Sequence, residues 1–135
     1  WEFRHDHIGY NYRMPNINAA LGCAQLENLD RYVADKRETA ACYAEFFKGK
    51  EDITFFTEPA DCKSNYWLNA VVLKDKAAQL DFLEYTNDHG VMTRPVWELM
   101  NRLPMFEHCE TDGLENTEWL ADRGGNIPSS VRLEN

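Results

Sequence analysis

An α+β fold follows from three features of this 135-residue sequence. One extended helical periodicity occupies residues 15–47, two β-branched and aromatic runs follow it, and a second helical pattern precedes a last short extended run. Together they predict a long N-terminal helix followed by a small, mainly antiparallel sheet with flanking helices.

The long helix rests on Ile17, Ala20, Leu21 and Ala24, then Leu29, Val33, Ala40, Ala44 and Phe47, which recur at helical spacing with charged residues between them. Pro15 suits a first turn, Asn16 or Asn18 suits a cap, and Gly49 is the stop. At roughly 30 residues it exceeds the usual globular length, as helices bridging domains or subunits do, and a kink near Asp30 is the alternative. "ITFFTEP" (53–59) and "SNYWLNAVVLK" (64–74) read as two neighbouring antiparallel strands. "KAAQLDFLEYTNDHG" (76–90) is a helix with Ala77, Leu80, Phe82 and Leu83 on or near one face and Gly90 at its end. "VMTRPVW" (91–97) is a short strand, "LMNRLPMF" (99–106) and "NTEWLADRG" (116–124) are short helices, and "NIPSS" (126–130) is extended. The predicted organisation is an interface loop and long helix over 1–48 and a small α/β domain over 49–135, with a hinge near Gly49.

Composition narrows the function classes. A net charge of −9 opposes bulk binding to phosphate backbones, so nucleic acid is not an expected partner. No apolar run approaches the roughly 20 residues of a membrane span, and no signal-peptide pattern is present. Cys23, Cys42, Cys62 and Cys109 lie far apart without a C-x-x-C pair, which points to a reduced, cytoplasmic setting, with two of them as small apolar helix residues. His5, His7, His89 and His108 form no metal-ligand spacing, so no metal is expected. The chain opens on Trp1, which reads as a piece of a longer product.

Two stretches carry chemistry. Tyr10, Asn11, Tyr12 and Arg13 stand immediately before the long helix; an amide, a guanidinium and two phenols suit a phosphate or a carboxylate, and a helix cap with packing tyrosines is the alternative. "TRPVWELMN" (93–101) leaves a strand with Arg94, Trp97 and Asn101, which offer a charge, a flat apolar surface and an amide. Here the alternative is a core tryptophan beside a surface arginine. "RGGNIPSS" (123–130) lacks P-loop spacing, and Gly124 and Gly125 read as a helix stop. Ser129 and Ser130 have no G-x-S-x-G context.

"GYNYRMPNINAALGCAQLENLD" (9–30) closely resembles a segment of the DegT/StrS-type pyridoxal-phosphate-dependent nucleotide-sugar aminotransferases. The resemblance continues through "SNYWLNAVVL", "GVMTRPVWELMNRLPMF" and "NIPSS", which look most like the branch acting on UDP-linked 4-keto-6-deoxy sugars, on routes to bacillosamine and legionaminic-type sugars. It implies the C-terminal part of a subunit of the aspartate-aminotransferase fold (type I), lacking the large domain that carries the Schiff-base lysine. Lysines 36, 48, 50, 63, 74 and 76 all follow the GYNYRM segment, whereas the family's lysine precedes it, so this chain alone is expected to be inactive.

The resemblance also implies a homodimer with shared active sites, in which Asn11 reaches the cofactor phosphate of the neighbouring subunit. Arg13 is implied to support that site or the nucleotide sugar, and Tyr10 and Tyr12 to line the interface. His5, Tyr10, Arg94, Trp97 and Asn101 become candidate contacts for the nucleotide-sugar substrate. The implied reaction moves an amino group, from glutamate in most of the family, to the 4-keto sugar. Other readings of the same fold are a non-catalytic dimerisation or sugar-binding module and a regulatory protein. Relatives usually continue into a final helix beyond "NIPSS", so an apolar face is expected to lie exposed or beneath another copy of the chain.

Overall fold

The computed structural model describes residues 10–132. The chain divides into two compact units, residues 1–31 and 32–135.

In the first unit α1 (Asn16–Glu27) begins after Pro15, whose extended backbone (φ −57°, ψ 150°) ends the preceding loop. No side chain caps it, so the expected Asn16 or Asn18 cap does not form. Its apolar stripe is not buried: Ile17 is 81% and Leu21 63% exposed, and no residue of α1 is buried. α2 (Leu29–Phe47) follows directly, so the expected single helix is broken at Asn28. There the Asn28 amide donates to the Ala24 carbonyl at 3.0 Å, a local side-chain bond that competes with the helical ladder. α2 runs across the division between the units and ends before Gly49, which takes the left-handed conformation expected of a helix stop.

The second unit is built on a four-stranded antiparallel sheet in the order β1-β2-β4-β3, formed by β1 (Ile53–Phe55), β2 (Asn69–Leu73), β3 (Arg94–Pro95) and β4 (Gly124–Ile127). α3 (Lys76–Asp88), a 3₁₀ turn (Met100–Arg102) and α4 (Glu115–Ala121) fill the connections. The two predicted N-terminal strands are antiparallel neighbours, as expected, but shorter than the runs that suggested them.

The placement of Gly124 and Gly125 corrects the sequence reading. They are not a helix stop but the first half of β4, buried between β2 and β3. A Cβ at Gly124 would come within 2.9 Å of both the Leu120 carbonyl oxygen and Val96 Cγ1. Only glycine lets β4 turn back this tightly beneath α4.

Phe55, Val71, Leu73, Ile127 and Ala40 form the core, packed by Tyr43, Ala44 and Phe47 of α2 and by Ala78 and Phe82 of α3. Phe47 and Phe55 stack within 4° of parallel. The inward residue of α3 beside Ala78 is Gln79, fully buried, whereas Leu80 of the predicted face is 54% exposed. Its amide nitrogen donates to the carbonyls of Ala121 (2.9 Å) and Gly124 (2.6 Å), while its oxygen accepts from Lys76 (2.8 Å). A buried amide satisfied in this way fastens α3 to the α4–β4 turn. At the other end of α3, Thr86 and Asn87 bond Thr93, fixing the approach to β3.

The loop 56–68 is tied to α2 by Arg37. Its guanidinium grips the Glu58 carboxylate at 2.6 and 3.0 Å and bonds the Ser64 carbonyl, while the Ser64 N–H donates back to Glu58. Tyr66 takes a left-handed conformation (φ 45°) in this loop, held by its N–H to the Ser64 hydroxyl and its ring against Phe55. Cys23, Cys42, Cys62 and Cys109 are free thiols on the surface, so the two helix cysteines do not serve as buried apolar residues.

Two consequences are measurable. Gly124→Ala should lower the free energy of unfolding in urea by about 1–3 kcal/mol, because the new methyl group meets a backbone oxygen that cannot swing away. The Arg37 guanidinium and the Ser64 N–H hold the Glu58 carboxyl down at about 2 from an ordinary 4.5. A depressed carboxyl stabilises the fold fully above its unfolded value and loses that contribution as pH falls through its folded value. The stability difference between the native chain and Glu58→Gln should therefore be constant above 4.5 and shrink as pH falls towards 2.

Candidate functional site

In the first unit the loop before α1 gathers the tyrosines, the amide and the guanidinium. Asn11 Oδ1 accepts from both the backbone N–H and the Nε–H of Arg13, each at 3.2 Å. The side chain of Asn11 thus orients the guanidinium and keeps its own amide N–H groups pointing away from that bond. Tyr10 and Tyr12 place their rings 6.2 Å apart, 79% and 90% exposed. An amide and a guanidinium together offer only donors beyond their mutual contact, which is the chemistry of a phosphate oxygen and not of a proton-transfer pair. No lysine precedes Lys36, so this loop could hold a cofactor's phosphate but contains no amine to bond its aldehyde.

In the second unit a groove of about 640 Å³ opens where β3 and β4 leave the sheet. Trp67, Met92, Arg94, Trp97, Asn126 and Ser129 are among its lining residues. The rings of Trp67 and Trp97 face each other at 6.1 Å with a 28° tilt, and both remain more than 60% exposed. The Arg94 guanidinium lies against Met92 Sδ, and the Asn126 amide donates to the Pro95 carbonyl. Flat apolar walls with one guanidinium suit a ligand that is part ring and part anion.

Among the residues anticipated from sequence, the structure brings Arg94 and Trp97 to the same groove. Asn101 sits apart from that lining, in the 3₁₀ turn. Tyr10, Asn11 and Arg13 form one cluster in the first unit. His5 and His7 lie outside the described residues.

Sequence reasoning does not mark Trp67, and it weighs Ser129 only as a nucleophile, not as a groove residue. Trp67 stood inside a run recognised as a strand, and nothing in that run shows that the sheet order will carry Trp97 opposite it. Among the described residues no group of three or more His, Cys, Asp or Glu side chains could hold a metal ion, and no helix is long and apolar enough to cross a membrane.

GDP-perosamine synthase from Escherichia coli O157:H7 is 32% identical over 136 residues, covering 99% of this chain and 36% of the relative. GDP-perosamine synthase from Vibrio cholerae is 30% identical over 93% of this chain and 35% of the relative. The chain thus spans about a third of the length of these relatives.

Among solved structures, the sugar aminotransferase CalS13 from Micromonospora echinospora superposes with a TM-score of 0.81 at 24% identity, covering 94% of this chain and 33% of that one. PseC from Helicobacter pylori, an aminotransferase of pseudoaminic acid biosynthesis, gives 0.83 at 20%, covering 99% and 38%. The fold is that of the aspartate-aminotransferase-like sugar aminotransferases. With the DegT/DnrJ/EryC1/StrS aminotransferase model matching residues 1–135, the chain belongs to that family.

Proposed function

We propose that this chain is the C-terminal part of a pyridoxal-phosphate-dependent aminotransferase that transfers an amino group, from glutamate, to a nucleotide-linked 4-keto-6-deoxy sugar. The family match along the whole chain carries this reading, and the donor cluster of Asn11 and Arg13 supports it. An interface loop and helical arm over 1–48, whose α2 also packs into the core of the second unit, precedes a small domain over 49–135; the large cofactor-binding domain belongs to the longer protein. The enzyme acts as a cytoplasmic homodimer with shared sites.

When bound, pyridoxal phosphate supplies the electron sink that lets an amino group pass between an amino acid and a keto sugar. The residues of this chain bind and orient. Asn11 donates its amide N–H groups to a phosphate oxygen of the neighbouring subunit's cofactor, and Arg13, aligned by the Asn11 oxygen, adds a positive charge beside it. Tyr10 and Tyr12 line the contact between subunits, in keeping with their exposure. Arg94 and Trp97, with Trp67 opposite, contact the sugar nucleotide in the groove, the guanidinium taking the diphosphate and the rings an apolar face. His5 is a further contact to that substrate, whereas Asn101, apart from the groove lining, reaches it only where the sugar extends towards the 3₁₀ turn. None of these groups needs to move a proton, which is the task of the lysine on the large domain.

Three measurements test the reading. Asn11→Ala in the longer protein should weaken pyridoxal phosphate binding by roughly 10–100-fold with the melting temperature unchanged, the loss expected of one hydrogen bond to a charged group. An unchanged affinity rejects the assignment. Arg13→Ala should raise KM for the sugar nucleotide or weaken dimerisation in sedimentation; normal values for both remove it from the site. Treating the 135-residue chain with pyridoxal phosphate and borohydride should leave no specific lysine adduct by intact mass. A stoichiometric adduct would mean that this chain carries the covalent chemistry itself.

A further inference from the structure

The groove is shaped from behind by a side chain that does not line it. Lys36, half-buried on α2, donates from its ammonium to the carbonyl oxygens of Trp67 (3.2 Å) and Ser129. Trp67 lies two residues before Asn69, the first residue of β2, and Ser129 two residues after Ile127, the last of β4; Asn69 and Ile127 are themselves paired in the ladder. Lys36 therefore clamps the two chains just where their backbone pairing ends and they part to form the groove.

The Ser129 hydroxyl completes the clamp, accepting from the Asn69 N–H at 2.7 Å and donating to the Ile127 carbonyl at 2.7 Å. An ammonium has three donors in a tetrahedral arrangement, so it can hold two carbonyls from separate segments at a fixed distance, which an aliphatic side chain cannot.

The consequence falls on Trp67. Its ring faces Trp97, which stands at the far side of the sheet two residues beyond β3. The two rings are brought together from segments that share no backbone ladder, and both are mostly exposed, so their mutual attraction alone holds them weakly. On one side the anchor is the β3–β4 pairing through Pro95 and Gly125, and on the other it is Lys36 on the Trp67 carbonyl.

We infer that Lys36 is a positioning residue of the groove, fixing Trp67 against Trp97 without touching the ligand. The link from this geometry to substrate affinity rests on the reading that the groove takes the sugar nucleotide.

The test uses 5-fluorotryptophan and ¹⁹F NMR, with KM and kcat measured on the complete enzyme. The Trp97 resonance is assigned by its loss in Trp97→Phe, and the ring-current shift it receives from Trp67 is read from its displacement in Trp67→Phe. Lys36→Met, which keeps the apolar stem and removes the donors, should move the Trp97 resonance to its Trp67→Phe position. It should also raise KM for the sugar nucleotide about tenfold with kcat within about twofold. Lys36→Arg should restore the resonance and most of KM.

A Trp97 resonance unmoved in Lys36→Met overturns the inference. A moved resonance with unchanged KM upholds the positioning role and instead removes the groove from the substrate site. Should Lys36→Met fail to fold, Lys36→Gln, with a shorter neutral donor, is read by the same resonance.

Discussion

The second unit depends on how closely one strand passes its neighbours. At Gly124 the backbone of β4 lies so near the Leu120 carbonyl and Val96 that a methyl group would collide with both. That approach lets the chain leave α4 and enter the sheet with only Asp122 and Arg123 between them. Arg123 spans the joint: its carbonyl accepts from the Leu73 N–H and its guanidinium bonds the Lys74 and Trp119 carbonyls. β4 then sits between β2 and β3, so everything that β3 carries, Arg94 and the approach to Trp97 included, is placed through its pairing with Gly125 and Asn126 of β4. The groove is thus a product of strand order, and the close passage of β4 in that order depends on the missing side chain of Gly124.

α2 governs the opposite edge of the same arrangement by charge. Consecutive residues Lys36 and Arg37 each reach carbonyls outside the ladder, Lys36 at Trp67 and Ser129 and Arg37 at Ser64. Further along, the Tyr43 hydroxyl donates to the Pro128 carbonyl, and Asp35 and Glu38 hold Arg132. Carbonyls in irregular segments have no ladder partner, and a half-buried one without a donor is costly. The helix supplies those donors in a row, and the loops on either side of β2 and after β4 settle along it. Packing of Ala40, Tyr43 and Phe47 on Phe55 and Val71 holds the helix against the sheet, while the polar row decides where the loops lie.

Much of this was legible in the sequence, and what was not has a common cause. The helical segments before Gly49, α3 and α4, the antiparallel β1–β2 pair and the α+β class follow from periodicity, whereas the helix expected over 99–106 is only a 3₁₀ turn at Met100–Arg102. The break falls at Asn28, two residues before the kink that the sequence allowed near Asp30, where the Asn28 side chain bonds its own helix at Ala24. Gln79 was passed over in favour of Leu80, since hydropathy has no way to register an amide buried because two carbonyls await it. The glycine pair reads locally as a helix stop, because glycine's local meaning and its meaning in a crowded strand are written with the same letter. At the site, Asn11, Arg13, Arg94 and Trp97 stood out as residue types, yet Trp67 and Lys36 acquire a role only from contacts 30 or more residues away in sequence.

The division of chemistry within the chain follows from the donors and acceptors it presents. Asn11 and Arg13 spend one acceptor on each other and leave donors outward; Arg94 adds a guanidinium beside two indole rings. An amide and a guanidinium offer hydrogen-bond donors and no general base. Groups of this kind select and orient an anion and do not move a proton. Within the second unit, the carbonyl clamps of α2 and the close passage of β4 fix the segments that line the groove.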